Sequence, residues 1–188
     1  EDDSQAAVAE LQHLQLSNRD AVMGIATSGR TPYVLGALEY AKSIGAFTIG
    51  FACNHNSAIA KIAELMIAPI VGPEVITGST RLKAGTATKL VLNMLTTGAM
   101  VRIGKTYGNL MVDLRPTNEK LRDRSQRIVA EISGLQQPQA AELLNQCNGE
   151  VKTAIVAALA EVTPDEARRM LSQHDGHLRA TLQNSPST

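Results

Sequence analysis

The chain has 188 residues, and its 18 lysines and arginines are balanced by 18 aspartates and glutamates. A nucleic-acid-binding protein would carry a basic excess, so this balance argues against that class. The two cysteines, Cys53 and Cys147, lie far apart and match no metal-ligand spacing, which predicts free thiols in a reducing compartment. No apolar run reaches the length of a membrane-spanning helix.

Short apolar runs alternate with helical patterns through the first half of the chain. Apolar residues at helical spacing predict a helix over Asp2–Leu14 with an acidic first turn. The runs Ala21–Ala26, Phe47–Ala52 and Leu65–Ile70 predict three buried strands. Strands that alternate with helices predict an α/β domain with a parallel sheet, in which ligands bind beyond the carboxyl ends of the strands.

A longer helix is predicted over Thr80–Ile103, where the hydroxyls of Ser79 and Thr80 are available as N-caps. Its central part, Leu90–Val101, consists almost wholly of apolar or small residues. Such a helix has no polar face, so we expect it to be buried against a sheet or a partner chain.

The second half of the chain is predicted to be helical. A strongly charged helix covers Asn118–Ile132, and residues 135–183 indicate three short helices. Thr163 is a predicted N-cap, followed by Pro164 at the first helical position. We expect these three helices to form a small bundle that resembles the ubiquitin-associated shape. The predicted divisions are 1–115 for the α/β domain, 116–134 for a connecting helix, 135–183 for the bundle and 184–188 for a disordered tail.

The loop Thr27–Thr31 joins the first predicted strand to a helix over Tyr33–Ile44. Gly29 lets the backbone approach an anion, the hydroxyls of Ser28 and Thr31 can donate hydrogen bonds, and the helix end adds its dipole. The alternative is an ordinary serine or threonine N-cap, which is the more common explanation of an isolated match.

A second loop begins at Gly72 and leads into the long helix. Arg81 and Lys83 place positive charge at the helix start, where the dipole is already positive, so a bound phosphate or carboxylate would stabilise them. Two solvated surface charges at a frayed helix end explain the same residues equally well. Glu74 either orients these groups or, as the preferred alternative, accepts backbone N–H groups as a cap.

The segment from Gly72 to Lys89 closely resembles the signature of N-acetylmuramic acid 6-phosphate etherases and the related glucokinase regulatory proteins. The likeness extends from Glu1 to about Leu182. It implies a three-layer sugar isomerase domain, a flavodoxin-like fold that normally has five parallel strands, of which this chain contains three. The matching residues are Gly72, Pro73, Glu74, Thr77, Gly78, Ser79, Arg81, Lys83, Gly85, Thr86 and Lys89.

The same resemblance gives the two loops roles in binding a phosphorylated sugar. Ser28, Gly29 and Thr31 match the phosphosugar loop SxSGxT, although Ala26 replaces its first serine and removes one phosphate donor. In sugar isomerase domains the second loop contacts the sugar. The candidate sugar-contacting residues are Thr77 and Ser79, and the supporting residues are Glu74, Arg81 and Lys83.

Glu1 is the catalytic base that the resemblance implies. Etherases carry a glutamate that acts as a base in an EGAED segment, and Glu1 and Asp2 match its last two residues. The second acid–base glutamate of the family lies upstream of these residues. We therefore expect this chain to be the carboxy-terminal part of a longer protein and to lack activity alone. The alternative for Glu1 is an acidic residue at a helix start, which the dipole favours.

The implied enzyme is a carbon–oxygen lyase that uses water to cleave the lactyl ether of N-acetylmuramic acid 6-phosphate. Its products are N-acetylglucosamine 6-phosphate and D-lactate, in the recycling of cell-wall sugar and amino-sugar catabolism. The resemblance also implies a cytoplasmic homodimer without metal or organic cofactor, and without nucleic-acid or membrane partners. The main alternative is a non-catalytic sugar-phosphate sensor like the glucokinase regulatory proteins, and another is a protein-interaction role for the terminal bundle.

Overall fold

The computed structural model describes residues 1–183, and the predicted disordered tail, 184–188, lies outside the described residues. Two compact units divide the chain, Glu1–Asn93 and Met94–Thr188. No helix within residues 1–183 is long and apolar enough to cross a membrane. The helices are α1 (Ser4–His13), α2 (Pro32–Ser43), α3 (Ala58–Ile62), α4 (Lys83–Arg102), α5 (Glu119–Ser133), α6 (Gln137–Gln146), α7 (Val151–Leu159), α8 (Pro164–Gln173) and α9 (Leu178–Gln183). The strands are β1 (Ala21–Ile25), β2 (Phe47–Phe51), β3 (Leu65–Ile67), β4 (Thr106–Tyr107) and β5 (Leu110–Met111).

The first three strands form a parallel sheet in the order β1-β2-β3, which confirms the predicted parallel arrangement. Met23 of β1 lies opposite Ile49 of β2, which in turn lies opposite Leu65 of β3. β3 ends at Ile67, before the predicted end of the strand, because Pro69 has no N–H group to donate to a sheet.

Different helices cover the two faces of this sheet. On one face, α2 and α3 contribute Leu38 and Ile59, which form a core cluster with Val22 and Met66. Gly50 permits this close approach, because a Cβ atom at that position would lie 2.4 Å from Cγ2 of Ile59. On the other face, Ala84 and Val91 of α4 form a second cluster with Phe51 of β2.

The face that α4 contacts is only partly covered. Side chains alternate along a strand, so this face also carries apolar residues that α4 does not reach. They are Ile25, Phe47 and Leu65, with exposed fractions of 36%, 45% and 46%. The first unit therefore has helices on both sides of its sheet, as a three-layer domain requires, but its second layer is incomplete.

Helix α4 differs from the prediction in its start and in its burial. It begins at Lys83 rather than Thr80, and only Ala84 and Val91 are buried along its length. Met94 and Val101 are 65% and 51% exposed. The prediction of one long buried helix is therefore wrong for this chain by itself, because a sheet of three strands covers only the first turns of the helix.

The second unit contains a β-hairpin that the sequence analysis did not predict. Strands β4 and β5 pair antiparallel across a two-residue turn in which Gly108 has φ of +58°. A positive φ at the first turn position is typical of tight hairpin turns, and glycine adopts it without strain.

Residues 135–183 contain four helices, α6 to α9, whereas three were predicted. Thr163 caps α8 as expected, since its Oγ1 accepts the N–H of Glu166 at 3.3 Å. Ile128 and Val129 of α5 lie in the same core as Ile155 of α7. The predicted connecting helix is thus part of the core of the second unit, and the likeness of the bundle to ubiquitin-associated domains remains a prediction.

Candidate functional site

The loops that follow β1, β2 and β3 all lie at the carboxyl edge of the parallel sheet. Ser28 and Ser79 are therefore on the same edge, because each follows the end of a strand in a parallel set. The first two loops are joined directly, since the N–H of Cys53 donates to the carbonyl of Thr27 at 2.9 Å. The two predicted loops therefore leave the sheet at the edge where ligands bind in parallel α/β sheets.

The loop after β1 is a tight turn centred on Gly29. Gly29 has φ of +65°, and its N–H donates to the carbonyl of Ala26 at 2.8 Å. A Cβ atom at Gly29 would lie 2.3 Å from Cβ of Ser57, so no larger residue fits there. The Oγ atom of Ser28 accepts the N–H of Arg30 at 3.3 Å. The Ser28 hydroxyl proton is then directed away from this bond and can be donated to a ligand.

Thr31 and Pro32 begin α2 at the end of the same loop. Thr31 is the N-cap residue, but its hydroxyl makes no capping hydrogen bond to the helix. Thr31 thus occupies the N-cap position, as the alternative held, but its hydroxyl is not used in a capping hydrogen bond. Ser28 and Thr31 are both half-buried, and Pro32 fixes the first helical turn beside them. Ser28 and Thr31 thus lie in the loop that precedes the N-terminus of α2, a position at which anions bind in other proteins.

Glu1 lies before α1 and outside its first turn. The N-cap of α1 is Asp3, whose carboxylate accepts the N–H groups of Gln5 at 2.9 Å and Ala6 at 3.1 Å. The predicted acidic first turn beginning at Asp2 is wrong, because Asp3 occupies the cap and the helix begins after it. Glu1 is therefore not in the first turn of α1, where the alternative explanation as a helix-start acid would place it.

A backbone hydrogen bond places Glu1 beside the loop after β1. The carbonyl of Glu1 accepts the N–H of Tyr33 at 3.1 Å, and Tyr33 lies in the first turn of α2, two residues beyond Thr31. The Tyr33 hydroxyl donates to Glu10 of α1 at 2.6 Å, which raises the pKa of Tyr33 and ties α1 to α2. Glu1 is thereby held next to the predicted phosphate-binding residues.

The start of α4 is capped by Glu74, a residue of the loop after β3. Its carboxylate accepts the N–H of Lys83 at 2.9 Å and of Ala84 at 3.0 Å. The bonds from Ala84 and Lys83 lower the pKa of Glu74. Ser79 and Thr80 do not act as the predicted caps, because the helix starts only at Lys83. The carboxylate of Glu74 therefore compensates the positive end of the helix. This agrees with the preferred prediction for Glu74, a cap that accepts backbone N–H groups.

The remaining predicted residues of the second loop are more open to solvent. Thr77 and Arg81 are exposed, and Ser79 is half-buried in a turn in which its N–H donates to Ile76 at 3.0 Å. Arg81 and Lys83 line one shallow depression at the start of α4. β2 lies between β1 and β3, so the strands from which the two loops depart are two strand spacings apart, roughly 10 Å. The ligand contacts assigned to these residues stay predictions.

The loop between β2 and α3 was not predicted to contain site residues. Asn54 lies there, and its side-chain Nδ2 donates to the carbonyls of Thr27 at 3.2 Å and Ser28 at 3.3 Å. Ser57 of the same loop is buried, and its Oγ accepts the N–H of Ala60 at 3.3 Å. The available signal was position, since polar residues directly after a buried parallel strand lie at the ligand-binding edge.

Comparison with known proteins supports the assignment of the first unit. The SIS domain family matches residues 5–98. A protein from Rhodopirellula baltica named N-acetylmuramic acid 6-phosphate etherase is 61% identical over 182 residues, which cover 97% of this chain and 60% of that protein. N-acetylmuramic acid 6-phosphate etherase 2 from Vibrio parahaemolyticus is 55% identical over 185 residues, 98% of this chain and 62% of that protein.

A third relative, named N-acetylmuramic acid 6-phosphate etherase, comes from Streptomyces coelicolor. It is 55% identical over 182 residues, 97% of this chain and 58% of that protein. The chain therefore spans about three fifths of the length of the curated relatives that it matches. The chain belongs to the SIS domain family, and the relatives to which it is similar along nearly its whole length carry the name of N-acetylmuramic acid 6-phosphate etherases.

Proposed function

We propose that the full-length protein uses water to cleave the lactyl ether of N-acetylmuramic acid 6-phosphate. The products are N-acetylglucosamine 6-phosphate and D-lactate. One observation carries the proposal: the Glu1 carbonyl accepts the N–H of Tyr33 at 3.1 Å, which brings the backbone of Glu1 beside the loop that contains Ser28 and Thr31. The names of the relatives support the choice of substrate.

The phosphate group is anchored by the loop after β1. Ser28 and Thr31 donate their hydroxyl protons to phosphate oxygens, and the N-terminus of α2 adds its positive dipole. Gly29 lets this loop pack against the segment after β2, since a Cβ atom there would lie 2.3 Å from Cβ of Ser57. Anchoring one end of the sugar fixes where its reacting carbons lie relative to Glu1.

Glu1 removes the proton from C2 of the open-chain sugar. This proton is acidic because the aldehyde at C1 stabilises the carbanion. The C3–oxygen bond then breaks, the lactyl oxygen takes a proton from a second acid, and a C2–C3 double bond forms. Water adds across this double bond at C3, which gives N-acetylglucosamine 6-phosphate. We expect the second acid to come from outside this chain, so that residues 1–188 alone are inactive.

The sugar ring and its acetamido group extend toward the loop after β3. Thr77 and Ser79 provide hydroxyl groups there, and Arg81 and Lys83 add positive charge near the lactyl carboxylate. Glu74 fixes the backbone of Lys83 by capping α4. We further propose a cytoplasmic homodimer that needs no metal or organic cofactor, and the exposed apolar residues of α4 support association.

The decisive experiment incubates the full-length protein with N-acetylmuramic acid 6-phosphate and measures D-lactate. We expect D-lactate and N-acetylglucosamine 6-phosphate in equal amounts, with one oxygen from labelled water at C3 of the sugar. A protein that binds the substrate but releases no D-lactate would instead be the sugar-phosphate sensor, and the proposed lyase activity would be wrong.

A further inference from the structure

We infer that Asn54 is a positioning residue that orients the phosphate-binding loop by binding its backbone carbonyls on the side opposite the ligand. This inference rests on the proposed function, because it assigns an orienting role to the loop that contains Ser28. The sequence analysis gave Asn54 no role. Asn54 lies in the loop after β2, and its side chain donates hydrogen bonds to backbone carbonyls of the loop after β1.

Three successive carbonyl groups of the phosphate-binding loop accept hydrogen bonds from one segment, residues 53–59. The three carbonyls are those of Thr27, Ser28 and Gly29, which form the turn that an anion would contact. The donors are the N–H of Cys53 to Thr27 at 2.9 Å, Nδ2 of Asn54 to Thr27 at 3.2 Å and to Ser28 at 3.3 Å, and the N–H of Ile59 to Gly29 at 3.2 Å.

The direction of these carbonyls decides what the loop presents to a ligand. Every described peptide bond is trans, so each carbonyl points opposite to the N–H group of the same peptide plane. Bonds that draw the carbonyl oxygens toward residues 53–59 keep their negative charge away from an anion. Of the three N–H groups in these peptide planes, that of Gly29 donates to Ala26 and that of Arg30 donates to Oγ of Ser28. The N–H of Ser28 and the loop hydroxyls then remain for a phosphate, with the carbonyl charge directed away from it.

Asn54 is the one side-chain donor in this set, whereas Cys53 and Ile59 use backbone N–H groups that substitutions do not remove. The carbonyl of Ser28 is held by Asn54. Gly29 cannot shift toward the segment, since it already lies against Ser57. Asn54 itself is exposed, so replacing it removes the two hydrogen bonds without opening a cavity in the core.

The test is calorimetric titration of the full-length protein with N-acetylglucosamine 6-phosphate. In Asn54→Ala we expect the dissociation constant to rise on the order of tenfold, because the Ser28 carbonyl is released toward the anion. Asn54→Asp should bind at least as weakly, since a carboxylate cannot donate to the two carbonyls and adds negative charge. Asn56→Ala, at an exposed asparagine two residues away, should change the constant by less than about twofold.

Unphosphorylated N-acetylglucosamine provides the second measurement, because it lacks the anion that the loop is oriented to receive. Its affinity should change little in Asn54→Ala, and the fitted stoichiometry reports the folded fraction in each titration. Equal weakening for both sugars, or a phosphorylated sugar bound as tightly by Asn54→Ala as by the wild type, would overturn the inference. A wild-type protein that binds neither sugar would overturn the proposed function instead.

Discussion

The Ser28 hydroxyl makes one hydrogen bond within the loop after β1. It accepts the N–H of Arg30 at 3.3 Å and keeps its own proton for a ligand. Ser28→Ala should weaken binding of N-acetylglucosamine 6-phosphate to the full-length protein by roughly 1–3 kcal/mol, through loss of a charge-assisted hydrogen bond. Titration calorimetry measures this directly.

Ser43→Ala is the matched control for Ser28→Ala. Ser43 lies at the end of α2, and its hydroxyl donates to the Tyr40 carbonyl at 2.7 Å, away from the carboxyl edge of the sheet. We expect its substitution to leave ligand affinity unchanged. If both substitutions weakened binding equally, the contribution of Ser28 would be general to the fold and unrelated to phosphate.

At the scale of single residues, sequence patterns predicted the positions of candidate ligand-binding residues better than they predicted the residues that support the loop. Ser28 lies in the turn after β1 and Thr31 is the N-cap residue of α2, so both are between a strand and a helix as predicted. Asn54 acts on the backbone of a loop 26 and 27 residues earlier in the chain. A contact between a side chain and distant carbonyls leaves no local pattern, so it could not be predicted.

The N-terminus of α4 depends on the ionised carboxylate of Glu74. Hydrogen bonds from Ala84 and Lys83 lower the pKa of Glu74 in the folded protein. A lowered folded-state pKa means that the carboxylate adds stability above the unfolded pKa, about 4.3 for glutamate. That stability is lost as the pH falls through the lower, folded-state pKa.

We therefore predict that Glu74→Gln lowers the melting temperature at neutral pH. The difference from the wild type should shrink as the pH drops below about 4 and the wild-type carboxylate becomes protonated. Thermal unfolding followed by circular dichroism across the pH range checks this. Glu39→Gln on α2 is the control, and a melting difference for Glu74→Gln that stays constant with pH would contradict the capping role.

At the scale of elements, the presence of a helix or strand was easier to predict than the residues at which it begins and ends. All three parallel strands were found, but β3 stops before Pro69 and α4 starts later than Thr80. The start of α4 was missed because its cap, Glu74, comes from nine residues before Lys83 rather than from the adjacent hydroxyls. The hairpin around Gly108 was missed because each strand has only two residues, too few to show an alternating pattern.

The whole chain leaves an apolar stripe exposed along α4. Leu90, Met94 and Val101 lie on one side of the helix, with exposed fractions of 56%, 65% and 51%. Contiguous apolar surface of this kind marks an interaction site in soluble proteins. The sequence predicted the apolar character of the helix but could not tell whether the covering surface lies in the same chain.

We predict that the full-length protein forms a homodimer in which this stripe of α4 lies at or near the interface. Met94→Glu should weaken the dimer by at least about tenfold, because a carboxylate would be buried against apolar surface. Light scattering at micromolar concentration measures the mass. Gln173→Glu, which adds the same charge at an exposed position of α8, should leave the dimer intact. A wild-type protein that stays monomeric would rule out this association.

The central claim is that Glu1 is the base that removes the C2 proton, and hydrogen–deuterium exchange at C2 tests it most directly. Glu1→Gln in the full-length protein keeps the shape of the side chain and removes its basicity. We predict that C2 exchange and D-lactate release both fall by at least ~10²-fold while substrate affinity changes little. Asp2→Asn, the neighbouring exposed acid, should exchange at the wild-type rate. A Glu1→Gln variant that exchanges C2 as fast as the wild type would contradict the account and assign the base to another residue.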